Sequence, residues 1–195
     1  MLESMFELPV LAPEGIRRLS RREYGRMVNL GMFEDERVEL LHGVLVTMSP
    51  QGGRHAGITA WLHQRLIRAL DGSYDVRGHS PFAASDDSEP EPDISVSLRS
   101  PGAFEHPVTA LLLIEIADSS LSKDRRVKSG IYAAAGVPEY WILDISGDEL
   151  AVEVRTEPAA DGYGASETYL RGQVLRPNQL PTVAIAIAEI PWRTA

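Results

Sequence analysis

The stretch ALLLIEIA, residues 110–117, is apolar throughout except for Glu115. A continuous apolar run of this length predicts a strand that is buried on both faces, in the middle of a sheet. A carboxylate in such a strand is costly unless it is paired or binds a cation. Glu115 is therefore either a charge exposed at the end of the strand or part of a site that also holds positive charge.

A second carboxylate, Asp93, follows Pro92 and begins the alternating stretch DISVSL, residues 93–98, which is predicted to be a neighbouring strand. If the ends of the two strands are adjacent, the oxygens of Asp93 and Glu115 face one small volume. Two such anions raise each other's pKa unless a divalent cation neutralises them. A few hard oxygen ligands, completed by water, suit Mg²⁺ or Mn²⁺.

The helix predicted after Glu115 supplies positive charge. It covers residues 122–136, with Ser122 as its cap. Asp124, Lys128 and Tyr132 are spaced four apart, so they share one helical face. Lys128 is expected to point at the carboxylates, where an ammonium group could orient or deprotonate a water or stabilise an oxyanion. Alternatively, Asp124 and Lys128 form an exposed salt bridge, and Tyr132 packs in the core with its hydroxyl at the rim.

The remaining pattern predicts a single α/β domain with a mixed sheet. Ser20 begins a short helix with a capping-box pattern, and residues 38–50 form a hairpin that turns at His42-Gly43. Residues 54–72 have apolar side chains at helical spacing. After further strands, the alternating stretch at residues 183–190 predicts a final strand.

The length and composition predict a single domain without cysteine chemistry or membrane association. The 195 residues suffice for one domain, assigned to residues 20–195, after an N-terminal extension of residues 1–19. The lack of cysteine excludes disulfides, thiolate zinc sites and cysteine nucleophiles, and it fits a cytoplasmic location. The start lacks the basic region of a secretory signal, and no apolar run approaches the roughly 18 residues needed to cross a bilayer. No membrane association is therefore expected.

The charge is unevenly distributed along the chain. A formal net charge of −9 counts against a protein that simply coats DNA, because such binding is mostly electrostatic. Residues 16–28 and 123–128 are nevertheless basic, whereas residues 85–93 are acidic. Basic patches beside an acidic pocket would suit a metal-dependent phosphodiesterase, although ordinary solvated faces give the same pattern.

The order of these motifs resembles that of a known family. Pro92-Asp93 followed by Glu115-Ile116-Ala117 is similar to the PD-(D/E)XK nuclease superfamily, the fold of many restriction endonucleases. Across about residues 20–190, the chain resembles the Uma-type family of restriction-endonuclease-like proteins. The strings that carry this resemblance are VELLHGVLVTMSP, RHAGI, PDISV, LLLIEIADSS, KDRRVKSGIYAAAGVPEYWILDI and LPTVAIAIAEI. The resemblance implies a restriction-endonuclease-like fold, with a mixed central sheet flanked by helices and an N-terminal helix and hairpin.

The resemblance also assigns the central residues of the site. It implies that Asp93, Glu115 and the backbone carbonyl of Ile116 hold Mg²⁺ or Mn²⁺. The superfamily pattern has a lysine two residues after the second acid, where this chain has Ala117. Members of the family place that lysine on the next helix, which implies that Lys128 takes the role.

Further residues follow from the same resemblance. Glu39 corresponds to an early acid that completes the site in related nucleases, and His55 matches a histidine at the start of the second helix, where it could touch the metal or the phosphate. Asp124 and Tyr132 are additional candidates, through the helical face they share with the lysine. Lys123 is expected to lie in the first turn of its helix and to point elsewhere.

The resemblance implies a metal-dependent DNA endonuclease in which a metal-activated water attacks in line and leaves a 5′-phosphate. It implies DNA as the partner and favours a homodimer, because cutting both strands needs two active sites. An inactive DNA-binding or assembly protein on the same scaffold is the alternative, which Ala117 and the acidic charge favour. A small nucleotide or another phosphodiester is a third candidate substrate, since an acidic surface suits it better than long duplex DNA.

Overall fold

The computed structural model describes residues 15–100 and 105–192, so most of the predicted N-terminal extension lies outside the described part. A central sheet carries helices on both faces. The elements in chain order are α1 (Arg21–Asn29), β1 (Val38–Leu41), β2 (Val44–Thr47), α2 (Gly53–Ala69), β3 (Tyr74–Gly78), β4 (Ile94–Leu98), β5 (Leu112–Ala117), α3 (121–134), β6 (Glu139–Asp144), β7 (Ala151–Ala159), β8 (Gly162–Tyr169), β9 (Val174–Leu175), β10 (Ile185–Ala186) and a closing 3₁₀ turn (Ile187–Glu189).

The central sheet has six strands in the order β3–β4–β5–β6–β7–β8. The pair β5 and β6 is parallel, and every other neighbouring pair in this sheet is antiparallel. A parallel pair needs a crossover connection, which α3 supplies. Every residue of β5 is buried, as its continuous apolar sequence predicted.

The two faces of the sheet pack against different helices. Ile58 of α2 belongs to the same buried cluster as Ile114. Ile131 of α3 belongs to a second buried cluster, together with Leu113. Because side chains alternate along a strand, Glu115 lies on the same side as Leu113, under α3. No helix in the described ranges is long and apolar enough to span a membrane.

The predicted N-terminal hairpin is confirmed. Strands β1 and β2 pair antiparallel, with Leu41 opposite Val44. The turn residues His42 and Gly43 both have positive φ, at 49° and 75°. A two-residue turn of this kind matches the twist of the strands that it joins. A bridge from Leu40 to Glu89 then ties β1 to the loop before β4, which brings the side chain of β1 residue Glu39 towards the centre of the molecule.

The helix α3 contains a π-helical stretch, Asp124–Lys128, between the short α turn Leu121–Lys123 and the α-helix Ser129–Ala134. The prediction that Ser122 caps this helix is wrong, because the helix already begins at Leu121, after Ser120. A π turn is rare and is frequently found at functional sites.

The prediction of a strand over residues 183–190 is also wrong for most of that range. Ile185 and Ala186 alone pair with β9, and the chain then turns into the 3₁₀ segment. The partner strand β9 has two residues and is followed closely by Pro177, which has no N–H to donate to a ladder. The apolar side chains of Val183, Ile185 and Ile187 are nevertheless buried. The alternating pattern therefore indicates which side chains are buried, and not a long strand.

Candidate active site

The two carboxylates that the sequence singled out lie side by side: Asp93 directly precedes β4, and Glu115 lies inside the neighbouring strand β5. Ile94 of β4 pairs with Ile114 of β5 in an antiparallel register. Extending this register by one residue brings Asp93 opposite Glu115. The backbone N–H of Ile116 donates to Oδ2 of Asp93 at 2.7 Å, which fixes the loop end of β4 to β5. Asp93 and Glu115 are both buried and both line one cavity of about 270 Å³.

The carboxylate of Asp93 also lies close to His55, in the first turn of α2, and to two side chains outside that helix. Nε2 of His55 lies 3.1 Å from Oδ2 of Asp93. Nδ1 of His79 lies 3.5 Å from Oδ1, and Nε2 of Gln51 lies at the same distance from that oxygen. Burial lowers the pKa of His55, but the hydrogen bond and the negative charge of Asp93, with the backbone of Ile116, outweigh burial and raise it. His55 is therefore held against Asp93 by a hydrogen bond that favours the protonated imidazole.

Glu115 meets the positive charge that its buried position requires. Nζ of Lys128 and the hydroxyl of Tyr132 both donate to Oε1 of Glu115, at 2.9 Å and 2.8 Å. The alternative of an exposed salt bridge between Asp124 and Lys128 is wrong, because both side chains are buried and Lys128 pairs with glutamates instead. The ring of Tyr132 does pack in the core, but its hydroxyl is buried at the site rather than at a rim.

Ala117 occupies the position two residues after Glu115. Ala117 is fully buried in the cluster that α3 covers. An ammonium group reaches Glu115 from Lys128 on that helix instead.

Glu39 joins the site through two lysines. Its Oε1 lies 2.6 Å from Nζ of Lys123, and its Oε2 lies 2.9 Å from Nζ of Lys128. Oε2 also accepts from the backbone N–H of Glu91 at 3.2 Å. The expectation that Lys123 points elsewhere is wrong, since it faces Glu39 and lines the cavity. Burial would raise the pKa of Glu39, but Lys128 and Lys123 together bring it below its ordinary value.

Asp124 is a further buried acid beside the cavity. Its Oδ2 accepts from the hydroxyl of Ser120 at 2.6 Å. Its Oδ1 is buried without a hydrogen-bond partner among the described residues. Burial raises the pKa of Asp124, and the nearby ammonium of Lys128 only partly offsets this.

Carboxylates outnumber ammonium groups in this site. Burial raises the pKa of Glu115 well above its ordinary value, and the carboxylates of Asp124, Asp93 and Glu39 raise it further against the opposing charge of Lys128. Burial disfavours the charged form of Lys128, yet Glu115, Glu39 and Asp124 raise the pKa of that lysine. Four buried carboxyl groups thus share two lysines, and this imbalance is relieved when a carboxyl group takes up a proton or when the site binds a cation.

The side chains of the site would supply only some of the ligands of a bound cation. Within residues 15–100 and 105–192, no group of three or more histidine, aspartate or glutamate side chains is arranged to hold a metal ion. The acidic residues Asp93, Glu115 and Asp124 line the cavity, as does Ile116. A cation bound by few protein oxygens and several waters is the usual arrangement for Mg²⁺.

Three contributors were missed by the sequence analysis: His79, Gln51 and the cavity-facing role of Lys123. The spacing rule for α-helices places Asp124, Lys128 and Tyr132 on one face, but a π turn has more residues per turn and also brings Lys123 to that face. His79 reaches Asp93 only because β3 pairs with β4, and no local pattern of the sequence carries that pairing.

The chain matches one protein-family model and solved structures of the same fold. The model of the Uma2 family, described as putative restriction endonuclease, matches residues 21–188. No curated protein matches the chain. The solved structures that match include the crystal structure of a putative nuclease belonging to DUF820 from Anabaena variabilis ATCC 29413, with 16% sequence identity and a TM-score of 0.73. That alignment covers 89% of this chain and 98% of the other, and it confirms the predicted fold.

Proposed function

Because the chain belongs to the Uma2 family of putative restriction endonucleases, as its motifs predicted, we propose that it is a metal-dependent DNA endonuclease. One observation supports this proposal above the others. Asp93 and Glu115 line one cavity, and the buried ammonium group of Lys128 contacts Glu115. This is the combination of two acids and a lysine that hydrolysis of a phosphodiester requires in the superfamily that the sequence resembles.

In this proposal Asp93, Glu115 and the carbonyl of Ile116 hold Mg²⁺ or Mn²⁺. When bound, the cation would lower the pKa of a water and stabilise the negative charge that develops on the phosphate. Glu39 acts through the lysines, because both of its oxygens already accept from Lys123, Lys128 or the backbone of Glu91.

The other side chains position the two acids. Lys128 and Tyr132 hold Oε1 of Glu115, and they fix the direction of its carboxylate. His55 and the N–H of Ile116 do the same for Oδ2 of Asp93. Orienting contacts of this kind commonly change metal affinity or activity 10–100-fold. Asp124 adds negative charge beside the lysines.

The proposal includes DNA as the substrate, a homodimer that brings one site to each strand, and a cytoplasmic location. The second candidate is a catalytically inactive protein on the same scaffold that binds DNA or assembles with other proteins. Ala117 and the net charge of −9 favour this candidate, whereas the contact of Lys128 with Glu115 supports the nuclease.

The proposal is tested by incubating supercoiled and linear DNA with the purified protein and Mg²⁺ or Mn²⁺. We expect cleavage by the wild type, and a loss of more than about 100-fold in Asp93→Asn and Lys128→Ala, since even supporting residues of a metal site cost up to that much. Asp144→Asn is the matched control, because Asp144 ends the neighbouring strand β6 and lies outside the cavity. Equal residual cleavage in all four proteins would exclude this active site.

A further inference from the structure

The buried lysine of the site has no hydrogen-bonding capacity left for a substrate. An ammonium group has three N–H donors and no acceptor. Nζ of Lys128 lies 2.9 Å from Oε1 of Glu115, 2.9 Å from Oε2 of Glu39 and 3.3 Å from the backbone oxygen of Glu91. Three acceptors therefore match three donors, and only 3% of the side chain is exposed. Contact with a phosphate would require Lys128 to break one of these bonds in a buried position.

The second lysine of the site is in the opposite situation. The side chain of Lys123 is 25% exposed, and it lines the same cavity as Asp93 and Glu115. Its Nζ has one acceptor among the described residues, Oε1 of Glu39 at 2.6 Å. Two N–H donors thus remain for a ligand in the cavity. The bond to Glu39 anchors the ammonium group, so less side-chain entropy is lost when it binds a ligand.

We infer that Lys123 is the cation that binds a non-bridging oxygen of the DNA phosphate at the cleavage site, and that Lys128 is a positioning residue for Glu115. This inference rests on the proposed function, because it takes a nucleic-acid phosphate as the ligand of the cavity. An exposed ammonium group is a common phosphate-binding group. The division of work also explains why the site has two lysines on one glutamate: one is enclosed by carboxylates and the other faces the cavity.

The test measures how DNA binding depends on salt. Each phosphate contact that a protein neutralises contributes about −0.9 to the slope of log K against log salt concentration for duplex DNA. A labelled duplex is titrated with wild type, Lys123→Met and Lys123→Arg by fluorescence anisotropy, with Ca²⁺ in place of Mg²⁺ and with a gel check that the DNA stays intact. Arg126→Met is the matched control, because Arg126 lies on the same helix and lines a different cavity with Arg155.

We expect Lys123→Met to weaken binding and to make the slope shallower by about 0.9, while Lys123→Arg and Arg126→Met keep the wild-type slope. Under single-turnover conditions with Mg²⁺ or Mn²⁺, cleavage by Lys123→Met should fall about 100-fold, the typical effect of removing one donor to a developing charge. Lys123→Arg should retain more of the activity. Lys123→Met leaves Oε1 of Glu39 buried without its ammonium partner, so some loss of thermal stability is expected, and binding and cleavage are measured well below the unfolding temperature of the variant.

Two results would overturn the inference. If Lys123→Met keeps the wild-type slope of log K against log salt concentration, Lys123 makes no phosphate contact. If Arg126→Met makes that slope shallower by the same amount as Lys123→Met, the contact is not specific to Lys123. When the wild type still cuts DNA in that case, the proposed function stands and only the inference fails. If the wild type binds no DNA at any salt concentration, the inference and the proposed DNA substrate fail together.

Discussion

Two polar clusters use side chains of α3, and they differ in their balance of charge. The acidic site consists of Asp93, Glu115, Glu39, Asp124, Lys128 and Lys123. The arginine cluster consists of Arg125, Arg155, Asp144 and Glu153. In the arginine cluster, two guanidinium groups face two carboxylates: Arg125 donates to Glu153 at 2.6 Å and to Asp144 at 3.3 Å, and Arg155 donates to Glu153 at 3.1 Å. In the acidic site, four carboxylates share two lysines.

This difference separates a structural cluster from a functional one. Hydrogen bonds to Glu153 raise the pKa of Arg125, so that cluster stabilises its own charges. In the acidic site, burial and neighbouring carboxylates raise the pKa of Glu115 instead. A surplus of one charge in a cavity is stable only when the groups take up protons or bind a cation. The surplus, rather than the number of charged residues, marks the candidate active site.

The largest effect is expected from removing the buried counter-charge. Lys128→Met leaves Glu115 and Glu39 in the interior without their shared lysine, and breaking a buried pair in this way costs roughly 3–5 kcal/mol. Arg125→Met removes a pair whose arginine side chain is 40% exposed, which costs below about 1 kcal/mol. Urea unfolding in the presence of a chelator measures both free energies. Equal costs would show that the two clusters are held in the same way.

A smaller effect is expected from pH. The folded-state pKa of Glu115 lies well above the ordinary value of 4.5, so the folded protein binds this proton more tightly than the unfolded chain. Proton binding at Glu115 therefore makes its full contribution to the free energy of unfolding below pH 4.5. This contribution is lost as pH rises through the folded-state pKa of Glu115. Without divalent cations, the wild type should lose stability relative to Glu115→Gln as pH rises. A constant difference between the two proteins from pH 4.5 to 8 would contradict this.

The smallest effect is a change in unfolding free energy that is expected to have opposite signs in the two clusters. Asp124→Asn removes one of the surplus charges, and the bond from Ser120 can be kept. We expect a gain in unfolding free energy of up to about 1 kcal/mol without divalent cations, because less charge is buried. Asp144→Asn weakens the contact with Arg125 and should lose a similar amount. Chemical unfolding at pH 7 measures both, and a loss in Asp124→Asn would show that its charge stabilises the fold.

The sequence was informative where local physics decides the outcome. The apolar run around Glu115 predicted a central strand, and His42-Gly43 predicted the hairpin turn, because burial and backbone conformation act within a few residues. The proximity of Asp93 and Glu115 was predictable because Asp93 directly precedes one strongly patterned strand and Glu115 lies in the other. The family resemblance added Lys128, which the structure brings to Glu115.

The remaining features depend on long-range contacts or on rare backbone geometry. The π turn in α3 moves Lys123 into the cavity, and helix spacing rules assume regular α-helix. His79 reaches Asp93 through the pairing of β3 with β4. The alternating residues near Ile187 are buried, but the length of the strand is set by its short partner β9.

The central claim is that Asp93 and Glu115 hold a divalent cation. A crystal soaked in Mn²⁺ and measured at a wavelength with strong manganese anomalous scattering tests it most directly. The account predicts an anomalous peak in the cavity, in contact with Asp93, Glu115 and the carbonyl of Ile116, and no peak in crystals of Asp93→Asn. A cavity without a peak at saturating Mn²⁺, or a peak at Asp144 and Glu153 instead, would contradict it.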